Sequence, residues 1–284
     1  MPRLAEIEAH LASIDALLGI VGAMRSLAGI RVQEAQRDLP GIRRYAGTMA
    51  DAIGSVLPFL DDAKPGTAGA GKSGRAVVLL VAEHGFAGGF NERLLEAAKE
   101  RLRPGDRLFV LGGRGAAMGA ERGLAPDWTH AMATRSAGAL ETTTRLSSEL
   151  YRYLASDRVA GIEVLFSRFH QLGHWEVTWR SILPLDSAAL TKGRARQAPL
   201  HNLPPAVLLE RLTAEYVFAL LMEAVVESIA SENAARFAAM DSATENVKKK
   251  LDALHHEANR VRQEEITTEL VDLVVGAEAV SQRK

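Results

Sequence analysis

Residues 66–73, GTAGAGKS, match the phosphate-binding pattern G-x-x-x-x-G-K-S letter for letter. A working loop of this kind follows a strand and precedes a helix, so that backbone N–H groups and the helix N-terminus face the phosphates. Here a polar segment precedes the match and an apolar run follows it, which predicts a strand after the loop instead of a helix. Because Gly and Ala dominate the segment, a chance match is easily reached. We therefore interpret it as a solvated linker, and keep a P-loop nucleotide-binding protein as an alternative.

Glu83 and His84 lie at the carboxyl end of a predicted strand, where α/β proteins commonly place their chemistry. No nucleophile or second carboxylate accompanies them in the sequence. A solvated or inter-subunit pair is therefore the favoured interpretation.

Two further motifs have simple structural explanations. Residues 112–115, GGRG, resemble the start of a dinucleotide fingerprint, but Met118 breaks the pattern G-x-G-x-x-G, so a turn is predicted. His255 and His256 are adjacent on a predicted helix and point about 100° apart, so they cannot share one metal ion as an i, i+4 pair does. We predict neither a cofactor nor a metal site.

Composition limits the remaining classes of function. The chain has 284 residues, of which 47% are hydrophobic, and its 34 basic and 35 acidic residues give a net charge of −1. A field of one sign that would favour nucleic acid is therefore not expected. The sequence contains no cysteine, which excludes disulfides and thiol chemistry. The longest uninterrupted apolar run, 76–82, is far shorter than the roughly 20 residues of a membrane span, and no secretory signal is recognised.

Both ends of the chain carry apolar residues in heptad steps, which predicts long coiled-coil helices. A helix of about 55 residues at the N-terminus would be about 80 Å long, and about 75 residues after Pro205 would span about 110 Å. The first seam comprises Leu4, Ile7, Leu11, Ile14, Leu18, Val21, Arg25, Ala28, Val32, Ala35 and Leu39. The second comprises Val247, Leu251, Leu254, Ala258 and Val261, and a shifted register follows at Ile266, Leu270, Leu273, Ala277 and Val280.

The middle of the chain has a different period. A buried strand at 76–82, a helix at 94–102 and a second strand at 108–111 predict a βαβ unit. A helix at 139–155 and strands at 161–168 and 174–183 complete a small domain. The predicted domains are an N-terminal helix (1–60), a flexible linker (61–75), a central α/β domain (76–205) and a C-terminal helix (206–284).

Two heptad helices at opposite ends of one chain can pair with each other when the central domain brings them together. The predicted fold class is therefore α/β, with a long antiparallel coiled coil of the terminal helices plus a small α/β (Rossmann-like) domain. The C-terminal helix is the longer one, and its end is expected to extend past its partner. The alternative is a homodimeric coiled-coil tether, in which each helix pairs with another chain.

The polar residues of the terminal helices resemble those of F-type ATP synthase gamma subunits. The N-terminal matches are Ala23-Met24-Arg25, Ala28, Ala35-Gln36 and Arg44-Tyr45-Ala46, and residues 85–91, GFAGGFN, are similar to the family's glycine-rich turn. The C-terminal matches are Ser231-Glu232, Ala235-Arg236, Ala239-Met240-Asp241, Arg262-Gln263, Ile266-Thr267, Glu269-Leu270 and Gly276-Ala277-Glu278. Ala82-Glu83-His84 stands where the family usually has Ser-Asp-Arg, which suggests a divergent branch.

This resemblance implies a central rotor shaft without a catalytic site, which couples ion translocation through a membrane ring to ATP synthesis or hydrolysis in a catalytic head. The implied partners are the alpha and beta subunits of the head, an epsilon subunit and the c ring. Association with the membrane would be indirect, through the ring, at the cytoplasmic face of the inner membrane.

The resemblance also implies two sets of contact residues. The set facing the head is Met24, Arg25, Arg236, Arg262, Gln263, Thr267 and Glu269. The set at the foot, near the membrane ring, is Lys192, Arg194, Arg196, His201 and Asn202.

Overall fold

A computed structural model describes residues 2–59, 74–156, 159, 161–172, 174–185, 190 and 201–281. The chain forms two compact units. The smaller unit consists of Met1–Ser26 and Ala239–Lys284, and the larger one is Leu27–Ala238. The first long helix, α1 (Pro2–Val56), and the last helix, α5 (Pro205–Ser281), contribute to both units.

Within the smaller unit, α1 and α5 pack against each other through the predicted seams. Ile7 is buried with Ala258 and Val261. At the polar edges of this seam, Arg262 donates to Glu8 at 2.9 Å and Arg25 donates to Asp241 at 2.7 Å. Residue numbers thus rise along one helix as they fall along the other. The antiparallel pairing within one chain is therefore confirmed, and the homodimeric tether is not favoured.

The same direction of pairing continues inside the larger unit. Ala35 and Leu39 on α1 are buried in a core that includes Val225 and Ile229 on α5. Pro40 lies within α1 rather than ending it. A proline in a helix interior removes one backbone hydrogen bond, and this one is exposed.

The larger unit also contains a five-stranded sheet. Its strands are β1 (Ala76–Leu80), β2 (Arg107–Leu111), β3 (Trp128–His130), β4 (Ile162–Gln171) and β5 (His174–Leu183). Their order is β3-β2-β1-β4-β5, with β1, β2, β3 and β4 parallel and β5 antiparallel to β4. The central strand β1 is buried on both faces, as its apolar run predicts. The predicted βαβ unit is confirmed, with helix α2 (Phe90–Arg101) as its crossover.

Two elements of this unit, a helix and the short strand β3, were not predicted from the sequence. The predicted turn at 112–115 is wrong, because helix α3 (Gly113–Glu121) begins there and leads to β3. A nine-residue helix with four glycines or alanines in its first five positions has little apolar periodicity to reveal it. Helix α4 (Ala139–Ala155) occupies the predicted range.

The end of α5 carries apolar side chains that this chain leaves exposed. Ile266, Leu270 and Leu273 are 51%, 57% and 70% exposed. The described residues therefore leave more than half of each of these three side chains uncovered, as expected where α5 extends past α1.

By length and composition alone, helix α1 is apolar enough to cross a membrane. Within Arg3–Phe59 an 18-residue stretch has a mean hydropathy of 1.5, and 11% of that stretch is buried. Core helices of other proteins and signal sequences meet the same criterion, so it is weak evidence for a membrane span. It does show that α1 has more apolar surface than its seam with α5 uses.

A buried carboxylate on α5 links the helix pair to the sheet. Glu223 accepts a hydrogen bond from Arg43 of α1 at 3.1 Å and one from Arg180 of β5 at 2.8 Å. Burial alone would raise the pKa of Glu223, but the two guanidinium groups outweigh burial and hold the pKa below its usual range. The pKa of Glu223 is lower in the folded state than in the unfolded state. Ionised Glu223 therefore stabilises the fold fully when the pH is above the pKa of the unfolded state.

We expect this stabilisation to be lost as the pH falls through the lowered pKa of Glu223. Thermal unfolding of the isolated chain between about pH 3 and pH 6 tests this, because an unfolded glutamate titrates near 4.3. The variant Glu223→Gln should be less stable at the upper end of this range and show a flatter pH profile. Identical slopes in both proteins would contradict the assignment.

Candidate coupling surface

The predicted head-contact residues of α1 lie beside Asp241 of α5. Arg25 and Asp241 form an ion pair whose side chains are 40% and 48% exposed. Met24 is half-buried next to Arg25. An ion pair that is open to solvent contributes at most about 1 kcal/mol. Its polar groups therefore remain accessible to another protein at low cost.

Further along α5, four predicted residues share an exposed polar surface. Arg262 pairs with Glu8 of α1, and each side chain is 51% exposed. Gln263, Thr267 and Glu269 are exposed. The hydroxyl of Thr267 donates to the carbonyl of Gln263 at 2.8 Å, one turn earlier in the same helix. The structure thus leaves this set available for contact, and its role stays a prediction.

Arg236 differs from the other six because it is buried within this chain. Its side chain is 6% exposed and pairs with Glu232, one turn earlier in α5, at 2.5 Å. It also donates to the side chain of Asn233 at 3.0 Å and to the backbone carbonyls of Gly85 at 3.3 Å and His84 at 3.4 Å. A guanidinium with these partners is poorly placed for direct contact with a catalytic head.

The carboxylate of Glu232, the partner of Arg236, also contacts the backbone next to His84 and Gly85. The backbone N–H of Glu83 donates to it. Burial raises the pKa of Glu232, while Arg236 and the N–H of Glu83 act in the opposite direction. The side chains of Glu232 and Arg236 therefore bind three consecutive backbone positions, 83–85.

Glu83 is not the solvated or inter-subunit group that the sequence suggested. Its carboxylate accepts from the N–H of Gly113, the first residue of α3, at 2.9 Å and from the N–H of Met132 at 2.8 Å. A helix N-terminus at the carboxyl edge of a parallel sheet is where nucleotide-binding folds place phosphate. Here the chain's own carboxylate takes that position.

Two predicted foot residues are described. His201 and Asn202 are exposed just before α5. The imidazole of His201 packs edge-on against Phe59, which follows α1, with ring centroids 5.7 Å apart. Lys192, Arg194 and Arg196 lie outside the described residues.

The G-x-x-x-x-G-K-S match also lies outside the described residues, but its neighbours are described. A short 3₁₀ helix at Leu57–Phe59 precedes it and β1 follows it, so the order of elements is not that of a phosphate-binding loop. Arg75, placed last in the predicted linker, is bound to Asp106 and Glu163 of the sheet domain.

We expect Lys72→Ala to leave ATPase rate and coupling of the assembled complex unchanged. A phosphate-binding lysine would lose a contact worth about 1.5 to 3 kcal/mol, and binding would weaken more than tenfold. A solvated lysine loses nothing measurable. Calorimetry of ATP with the isolated chain should detect no binding at millimolar concentrations, and saturable binding that disappears in the variant would contradict the linker interpretation.

The described residues offer little other chemistry. They contain no group of three or more His, Asp or Glu side chains that could hold a metal ion. A cavity of about 850 Å³ lies between β3 and α4, next to Trp128 and His130. Its charged lining residues Arg145 and Arg152 pair with Glu141 and Glu149 on the same helix. It contains none of the predicted contact residues.

Antiparallel long helices joined to a small sheet domain define a central-stalk architecture, and solved structures share it. The chain is similar to one from the mitochondrial ATP synthase of Euglena gracilis, with a TM-score of 0.68 and 15% identity over 98% of this chain and 95% of that one. It is also similar to a chain from the central stalk and c ring of the Tetrahymena thermophila mitochondrial enzyme, with a TM-score of 0.57 and 18% identity over 79% of this chain and 99% of that one.

Sequence comparison gives the particular family. The family model for ATP synthase matches residues 3–280. The ATP synthase gamma chain of Phenylobacterium zucineum is 30% identical over 99% of this chain and all of that protein, and the gamma chain of Lachnoclostridium phytofermentans is 27% identical over the same shares. The chain belongs to the ATP synthase gamma-chain family, the non-catalytic shaft subunits of these enzymes.

Proposed function

We propose that this chain turns inside a head of alpha and beta subunits, with its foot on a c ring and an epsilon subunit beside it, at the cytoplasmic face of the inner membrane. An asymmetric rod presents a different face to each catalytic subunit of a threefold head. Rotation of the ring therefore takes the three sites through different conformations in turn. The observation that carries this proposal is the antiparallel pairing of α1 and α5 within one chain of this family.

The paired helices suit the mechanical role. Two packed helices resist twisting better than one, and the burial of Ile7 with Ala258 and Val261 holds them together in the smaller unit. The exposed polar residues Arg262, Gln263, Thr267 and Glu269 would meet the head.

Surplus apolar surface supports the same role. Leu17, Ile20, Leu27 and Ile30 of α1 are 42%, 58%, 47% and 52% exposed. Such surfaces mark sites that other proteins cover. At the end of α5, Val271, Val274 and Val275 are also exposed, and small apolar side chains suit a shaft tip that turns within an apolar sleeve.

A rotation assay tests the proposal. Because the sequence contains no cysteine, Lys99→Cys on the exposed side of α2 provides a single attachment point for a bead. We expect the bead to rotate on addition of ATP when the purified complex is fixed through its head. A chain that fails to assemble with alpha and beta subunits, or a bead that stays still on an active complex, would contradict it.

A further inference from the structure

The strand order of the sheet reverses between β1 and β4. From β1 the sheet extends through β2 and β3 on one side and through β4 and β5 on the other. In open α/β sheets, ligands bind at this reversal point. In this chain α5 fills it: Glu227 accepts from the N–H of Phe169 at 3.0 Å, and Ser231 donates to the carbonyl of Ser167 at 2.9 Å.

One turn further along α5, the pair Glu232 and Arg236 reaches the segment that follows β1. The pair accepts from the N–H of Glu83 and donates to the carbonyls of His84 and Gly85. Hydrogen bonds that involve a charged partner are stronger than neutral ones. This attachment therefore joins the glycine-rich turn to α5 by its backbone, whatever side chains the turn carries.

Stability alone does not account for such a pair. The side chains of Arg236 and Glu232 are 6% and 4% exposed, and removing both charges from water offsets much of their attraction. Apolar residues of similar volume often stabilise a core as well or better. What a directional, multiply bonded pair adds is a fixed position for the groups that it binds.

The turn that this pair holds presents an unusual residue. Phe86 has a φ of 63° and its side chain is 69% exposed. A bulky residue in the left-handed region is strained, and such strain persists where the surroundings impose it. An exposed aromatic ring on a strained turn, attached at its base to a long helix, is suited to bear on another surface.

We propose that Glu232 and Arg236 are positioning residues that fix the turn at 84–88, with Phe86 at its tip, to α5, so that force applied to the turn passes directly into the shaft. This inference rests on the proposed rotary function. Arg236 then acts on coupling through the turn within its own chain, rather than by touching the head.

A spin label at position 86 tests the attachment, since Phe86→Cys creates a single labelling site. We expect Arg236→Met to shift the equilibrium between the attached and the detached turn by about tenfold toward the detached form. The mobility of the label in the assembled complex should rise accordingly. Arg260→Met is the matched control, because Arg260 pairs with Glu264 across the same spacing on α5 while both side chains are more than half exposed. A label at the exposed Thr48→Cys reports general loosening.

Coupling is measured separately, as ATP-driven ion pumping per ATP hydrolysed, in complexes that retain Phe86. We expect pumping efficiency to fall in Arg236→Met and to stay unchanged in Arg260→Met. Arg236→Lys retains the charge opposite Glu232 without the planar fork, so it should show an intermediate loss, and it takes the place of the Met variant if that variant fails to assemble.

Three results would overturn the inference. These are unchanged mobility at position 86 in Arg236→Met, an equal increase at positions 48 and 86, and normal coupling despite a mobile turn. Failure of the proposed function is distinct, because the chain with native Glu232 and Arg236 would then fail to assemble or fail to rotate.

Discussion

Leu251→Glu should lower the free energy of unfolding of the helix pair by about 3 to 5 kcal/mol, since it places an uncompensated carboxylate in an apolar seam. Leu251 is 9% exposed on α5. Its neighbours along the seam, Leu254, Ala258 and Val261, are also buried. Loss of the helical circular dichroism signal on heating, followed in the isolated chain, measures the effect.

The same substitution further along α5 is the control. Leu273 is 70% exposed, so Leu273→Glu should leave the unfolding transition nearly unchanged. In reconstituted vesicles, Leu251→Glu should impair ion-coupled ATP synthesis before it abolishes ATP hydrolysis, because a loosened shaft transmits less torque. Equal loss of both activities in an assembled complex would argue against a torque-bearing seam.

Gly112→Ala should destabilise the sheet domain by about 3 to 5 kcal/mol, through steric overlap added to backbone strain. Gly112 has a φ of 120°, and a Cβ there would lie 2.2 Å from the carbonyl oxygen of Val81. That oxygen belongs to the backbone directly after β1, so it cannot move aside without disturbing the central strand.

A substitution at Gly123 is the control that distinguishes backbone strain from steric overlap. Its φ is 83°, and a Cβ there would meet nothing within 4 Å. Gly123→Ala should therefore cost only the backbone strain of about 1 to 2 kcal/mol. Urea unfolding of the two variants measures the difference, and equal midpoints would show that the close approach at Gly112 is relieved by small movements.

The long helices and the sheet core were predictable because their signals are local and repeated. Apart from Arg25, every third or fourth residue from Ile7 to Leu39 is apolar, and the burial of Val21, Ala28 and Val32 follows that spacing. The apolar run Ala76–Leu80 similarly predicted a central strand. Five apolar residues in sequence leave no polar face, which is typical of a parallel strand covered on both sides.

The polar contacts could not be predicted in the same way. Arg236 and Gly85 are separated by 151 residues, and Glu83 and Met132 by 49. No periodicity in the sequence relates such partners, and their positions follow only from the folded sheet. Family resemblance pointed to Arg236 as a functional residue, whereas its burial next to the turn emerged only from the structure.

The antiparallel pairing has a consequence for how the chain is made. Glu8 contacts Arg262, so one of the first segments to leave the ribosome can pair only after one of the last has been synthesised. At about 5 to 20 residues per second, the 254 residues that separate these two positions take about 13 to 50 s to synthesise. During that interval the apolar seam of α1 is unpaired.

Closing the shorter loop, between residues 43 and 223, costs less chain entropy than closing the longer one, between residues 8 and 262. The helices should therefore zip from the sheet domain toward the termini, and nascent chains that stall before α5 should be captured by chaperones that bind apolar helices.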